Sequence, residues 1–238
     1  MASLYRHRFK LLLGTLLALI LAMPVLFEAL AETAPKIGLA LAMGAEVSAM
    51  LAAALVISGR RGARWFAYGL LAPSLVVEAG AVFLWPNELL FLHFALRIAF
   101  VSFVIGAILR EIFVPAPITF DTVCASLCVY LLIGIVWENV YAILETATHG
   151  SVVTVTRTGA EAPKPELDTD VARIFRMRYF SFATLTSVGY GDIIPGTTLA
   201  RMCAITEALV GQMYLLVMVS RLVGLHISRT IPTPTEKG

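Results

Sequence analysis

Charge is what this sequence has least of. Of 238 residues only 34 are Asp, Glu, Lys or Arg, which is 14% of the chain, against roughly a quarter in an ordinary soluble domain. Hydrophobic residues make up 59%. A compact fold of this size would lack the polar side chains to cover its surface, so the chain needs a bilayer as its solvent. Cysteine is scarce too. Cys124, Cys128 and Cys203 lie in apolar runs, an odd number at no metal-ligand spacing, which argues for small buried residues and against a disulfide framework. A net charge of +2 without blocks of like charge gives no reason to expect nucleic acid or an acidic partner. Neither H-E-x-x-H nor G-x-S-x-G occurs, so hydrolysis has no support and the chain reads as a non-enzyme.

What is present is a series of long apolar runs. A helix needs about 20 mostly apolar residues to span the hydrocarbon, and six stretches qualify: about 11–30, 37–58, 64–85, 89–110, 122–145 and 199–224. Arg6, Arg8 and Lys10 precede the first, as in a signal peptide, but the run is too long for an h-region and no clear small-residue cleavage site follows. It reads as a retained span. The short connections carry breakers such as Pro35 and Pro86, and a segment with Pro115 and Pro117 separates four spans from the last two. Residues 146–170 read as a polar, exposed outer loop. Residues 171–195 are too short and too glycine-rich at their end to cross fully. The expected fold class is an all-α membrane protein with six transmembrane helices and one re-entrant half-helix. Lys and Arg cluster at the N-terminal arm, at Arg60, Arg61 and Arg64, and at Arg221, Arg229 and Lys237, which places both termini in the cytoplasm.

The informative stretch is Tyr179-Phe-Ser-Phe-Ala-Thr-Leu-Thr-Ser-Val-Gly-Tyr-Gly-Asp192. Residues 171–186 read as a helix that enters from outside and stops partway. Ser187-Val188-Gly189-Tyr190-Gly191 follows as non-helical backbone, tolerated at membrane depth only where protein buries it or a wet cavity adjoins it. Its two glycines allow positive φ at alternate residues. Successive carbonyls can then point to one side and replace the water shell of a cation. The half-helix ahead aims its partially negative C-terminal end at the same place.

Thr184-Leu-Thr-Ser-Val-Gly-Tyr-Gly-Asp192 resembles the signature filter of potassium channels, and the last half of the chain resembles their pore domain. The resemblance implies a pore domain over 116–228, made of an outer helix (122–145), the loop 146–170, a pore helix (171–186), a filter (187–192) and an inner helix (199–224). A short cytoplasmic tail, 229–238, would follow. It implies K+ held by the carbonyls of Ser187, Val188, Gly189 and Tyr190, with Gly191 completing the filter and the Ser187 hydroxyl closing the innermost site. The family usually has Thr there; Ser lacks the β-methyl that restricts its rotamer. Thr184, Thr186, Asp192, Tyr179 and Phe180 would support the filter. Tyr179 and Phe180 stand where the family often has a Trp pair, with Tyr179 able to donate to Asp192 and Phe180 offering packing. Ala183 replaces a Glu that some members bury there. One chain carries one filter, so a homotetramer follows. Gly211 reads equally as a gating hinge or as a close-packing glycine, and Gln212, Leu215 and Val219 share a helical face that would line the cavity. No cofactor is implied beyond potassium ions in the filter.

Residues 1–115 would form a four-helix domain resembling a degenerate voltage sensor. The family's sensors carry Arg at every third position of the fourth span, whereas here only Arg97 lies at membrane depth. Moving one charge through 100 mV is worth about 2.3 kcal/mol, so four copies of Arg97 would gain only about 9 kcal/mol even on full traversal. Buried structural pairs, Glu46–Arg97 and Glu78–His93, are the expectation, since unpaired charge in lipid is costly. Glu138 and Glu207 are further intramembrane carboxylates whose facing the sequence leaves open.

A weakly selective cation channel, with Ser187 loosening the filter, and a channel-like subunit that does not conduct alone are the alternatives. An ion-coupled transporter fits less well, because broken helices there recur as a pair. The partners expected are further copies of the chain and the bilayer, with no attached ligand-binding domain. Without an N-x-S/T sequon, a prokaryotic cell membrane is the expected location.

Overall fold

The computed structural model describes residues 8–31, 33–56, 61–84, 87–114, 119–155 and 170–230. The first helix is α1 (Arg8–Leu17), a π-helical turn (Ala18–Ala22) and α2 (Met23–Ala31) in succession. Then come α3 (Pro35–Val56), α4 (Arg61–Leu84), α5 (Asn87–Phe113), α6 (Phe120–Ala147), β1 (Val152–Thr154), α7 (Asp170–Leu185), β2 (Ile193–Pro195) and α8 (Thr198–Thr230). Among the described residues, Arg8–Leu30, Leu90–Phe113, Phe120–Ala147 and Thr198–Arg221 are helical stretches long and apolar enough to cross a bilayer. The fold is that of an all-α membrane protein. The second and third expected spans fall on α3 and α4, whose described apolar stretches, Leu41–Val56 and Ala67–Val77, are shorter than a span.

One core joins the N-terminal helices to α6. Phe9, Leu12 and Leu16 of α1 meet Ala49 and Ala53 of α3, Phe100, Val104 and Ile108 of α5, and Cys128, Val129 and Leu132 of α6. Alanines on α3 let the backbones approach closely, which drives helix association where no water is excluded. The three cysteines are free, two of them buried. At one end of the bundle Arg8 pairs with Glu111 and donates to Val56 O at 3.1 Å, while Arg221 of α8 donates to Ile112 O. These donors meet carbonyls near the C-termini of α3 and α5, where no intrahelical N–H remains. At the other end Phe94, Tyr141, Met177 and Phe180 form a second cluster.

α6 starts at a Thr119/Thr122 capping box, which fixes the entry of the chain into the C-terminal half. The segment expected as an exposed loop departs from that expectation. β1 pairs antiparallel with β2 in the register Val152↔Pro195, Val153↔Ile194, Thr154↔Ile193. Ser151 and Val152 are buried. Glu145, at the end of α6, accepts from Gly150 N and Val152 N at 3.0 Å each, so a carboxylate shapes the turn into a β-branched strand. Residues 156–169 of that loop lie outside the described residues. α8 also continues to Thr230, past the expected end at 224 and into the expected tail, of which 231–238 lie outside the described residues.

Candidate functional site

The half-helix α7 ends in a Schellman arrangement. Ser187 N donates to Thr184 O at 2.9 Å and Val188 N to Ala183 O at 2.9 Å. That geometry places Ser187 in the left-handed region, at φ 58°. Gly189 and Gly191 follow at φ 54° and 79°, so positive φ recurs at every second residue. The glycines take this conformation without a Cβ penalty; Ser187 takes it because the helix cap requires it. A backbone that alternates in this way can turn successive carbonyls to one side. Residues 186–192 are all exposed in the single chain.

Side chains brace this backbone. Tyr179 Oη donates to Asp192 Oδ2 at 2.9 Å, and its ring stacks on Tyr190 with centroids 6.3 Å apart. Asp192 Oδ1 accepts from Ile193 N at 3.0 Å, and Asp192 O accepts from Val155 N at 2.8 Å, which ties the ribbon to the end of the 187–192 segment. Phe180 is buried against Tyr141, edge to face at 4.8 Å. Thr186 Oγ1 donates to Phe182 O at 2.6 Å, while Thr184 contributes its carbonyl to the cap. Tyr130 Oη donates to Leu185 O at 3.2 Å. Gln212 Nε2 donates to Ser187 Oγ at 3.0 Å, which restrains the hydroxyl despite the missing β-methyl. Leu215 and Val219 continue the exposed face of Gln212 along α8.

Gly211 is buried against the end of α7. A Cβ there would lie 2.7 Å from Leu185 Cδ1 and 2.8 Å from Leu185 O, so the glycine permits the close approach of α8. Gly211→Ala is expected to cost about 1–3 kcal/mol by overpacking, read as a lower melting temperature of the purified assembly. Unchanged melting would count against this contact.

The buried charges form a connected set. Arg97 Nη1 lies 2.5 Å from Glu46 Oε2, so the structure brings those two residues together. His93 is buried beside Phe94, with no hydrogen-bond partner for Nδ1 among the described residues; the side chain of Glu78 lies outside them. Glu138 faces α7 and takes two bonds from Arg178, Nε to Oε2 at 2.7 Å and Nη2 to Oε1 at 2.8 Å. Glu207 also faces α7, accepting from Ser181 Oγ at 2.5 Å and Tyr141 Oη at 2.6 Å. Ser181 Oγ is also 2.8 Å from Gly134 O. Sequence reasoning missed Arg178 and gave it no role. The signal was there: an arginine inside a segment read as re-entrant helix, and an unassigned intramembrane carboxylate in need of a partner. Arg97→Gln is expected to lower the yield of assembled protein more than it shifts any voltage dependence, since it leaves Glu46 with one fewer cation. A large shift of the conductance–voltage curve at normal yield would contradict this.

Residues 118–226 match the ion channel family model. No curated protein and no solved structure matches the chain. The match takes in α6, the ribbon, α7, the 187–192 segment and most of α8. It supports an ion channel in a multi-pass membrane protein and points to transport rather than to enzymatic chemistry.

Proposed function

We propose that this chain is a subunit of a potassium-selective channel in which four copies place residues 187–191 around one axis. The observation that carries the reading is the alternation of positive φ at Ser187, Gly189 and Gly191 directly after a half-helix. Four such strands would ring a dehydrated cation with the carbonyls of Ser187, Val188, Gly189 and Tyr190, at the negative ends of four α7 dipoles. Exposure of this whole strip in the single chain favours assembly, because unpaired backbone at membrane depth needs protein around it or a wet cavity beside it. An apolar stripe on α8, through Leu199, Met202, Ile205, Leu209, Met213 and Leu216, is likewise exposed and offers surface to neighbouring copies and lipid.

In this reading α3 and α4 complete a six-span plan, with both termini in the cytoplasm of a cell membrane. The brace from Gln212 to Ser187 favours a selective filter over the weakly selective alternative. Purified protein in liposomes tests the proposal by K+ against Na+ flux. Substantially faster K+ flux is expected. Equal fluxes would replace the selective reading with the weakly selective one, and no flux from a well-assembled particle would favour the non-conducting subunit.

A further inference from the structure

Arg178 is among the largest fully buried side chains of the described residues. Its guanidinium spreads over three elements: two bonds to Glu138 of α6, one from Nη2 to Glu46 Oε1 of α3 at 3.0 Å, and one from Nη1 to Leu19 O at 3.0 Å. Leu19 lies in the π-helical turn, where the regular i→i+4 pattern is interrupted and a carbonyl can take an outside donor. Glu46 spends its other oxygen on Arg97 of α5. Charges of alternating sign therefore run Arg97–Glu46–Arg178–Glu138, from the N-terminal helices into α7 and on to the helix behind it.

Stability alone gives little reason for such a chain. Well-packed apolar residues of similar volume often do as well as a buried ion pair or better, because both charges must be stripped of water. What a planar, five-donor fork adds is direction. Arg178 and Ser181, one turn apart on α7, are both held from behind, while Tyr179 between them is bonded forward to Asp192. Rotation and sliding of α7 are both restrained. Residues 187–191 begin only two residues after α7 ends, so they inherit its pose. Coordinating groups need placement within about 0.5 Å and 10–20°.

We infer that Arg178 is a positioning residue: it sets the height and rotation of α7, and thereby the spacing of the carbonyls at 187–190, in register with the N-terminal helices. This rests on residues 187–191 being the selectivity filter.

The test compares K+ and Na+ permeability of three proteins in liposomes: the unaltered chain, Arg178→Lys, and the double variant Arg178→Met with Glu138→Met. Lys keeps the charge but loses the fork. The double variant removes both buried charges and leaves Glu46 with Arg97. Equal K+ and Na+ permeability in the unaltered chain would replace the selective reading with the weakly selective one, before any variant is considered. If the unaltered chain discriminates, both variants are expected to form the same assembly by size-exclusion chromatography and to lose about tenfold in K+/Na+ selectivity. Selectivity within about twofold of the unaltered chain in either variant would overturn the inference. So would failure of both to assemble, because Arg178 would then serve assembly rather than the filter.

Discussion

Gly189→Ala is expected to abolish K+ conduction while leaving the assembled particle intact. Gly189 sits at φ 54° in the middle of the alternating segment, with nothing within 4 Å of the site an added Cβ would occupy. The obstacle is therefore conformational. Holding an L-residue in the left-handed region costs about 1–2 kcal/mol, and a ring of four copies would bear about 4–8 kcal/mol. The strand relieves that strain by leaving the alternating conformation, which takes carbonyls away from the ion path. A conduction loss of at least about 100-fold corresponds to under 3 kcal/mol and falls well inside the strain available. Single-channel or flux recording, with size-exclusion chromatography to confirm assembly, checks it. Near-normal K+ flux would show that the 187–191 backbone does not line the conduction path.

The second large effect concerns stability. Glu138→Gln is expected to destabilise the protein by about 3–5 kcal/mol, because it leaves the buried guanidinium of Arg178 short of its bidentate partner. Both side chains of that pair are 2% exposed. Arg8–Glu111 makes a useful contrast, since the carboxylate there is 48% exposed, and Glu111→Gln is expected to cost at most about 1 kcal/mol. Glu207→Gln should fall between, because an amide can still accept from Ser181 or Tyr141 but not keep both bonds as strong. Thermal unfolding in one detergent, run on all three variants, gives the order. Equal losses for Glu138→Gln and Glu111→Gln would show that burial does not govern these pairs.

The helices and the 187–191 segment were legible because they rest on local signals: apolar length, and glycines where a helix must stop. Partnerships were legible only where depth arithmetic applied. Counting residues from the helix ends places Glu46 and Arg97 at one level, and the structure puts them in contact. Arg178 escaped because it lies on α7, a 16-residue helix whose tilt no count of residues supplies. The positive φ of Ser187 escaped for a different reason. It is imposed by hydrogen bonds to Ala183 and Thr184 at a helix cap, while serine itself has no preference for that region. The ribbon was missed because Val152–Thr154 is only three residues long, and a strand that short is specified by its partner rather than by its own composition.

The π turn at Ala18–Ala22 has a phase consequence. It accommodates one residue beyond what an unbroken α-helix would hold, so Arg8 and Leu19 share a rod without sharing an angular setting. Deleting a single residue there would let the rod anneal and swing its leading portion by about 100°. Arg8 would leave Glu111 at one end of the rod just as the Leu19 carbonyl, midway along it, closed to Arg178. One surplus residue thus synchronises two distant attachments, and shortening the chain by that much should uncouple them together.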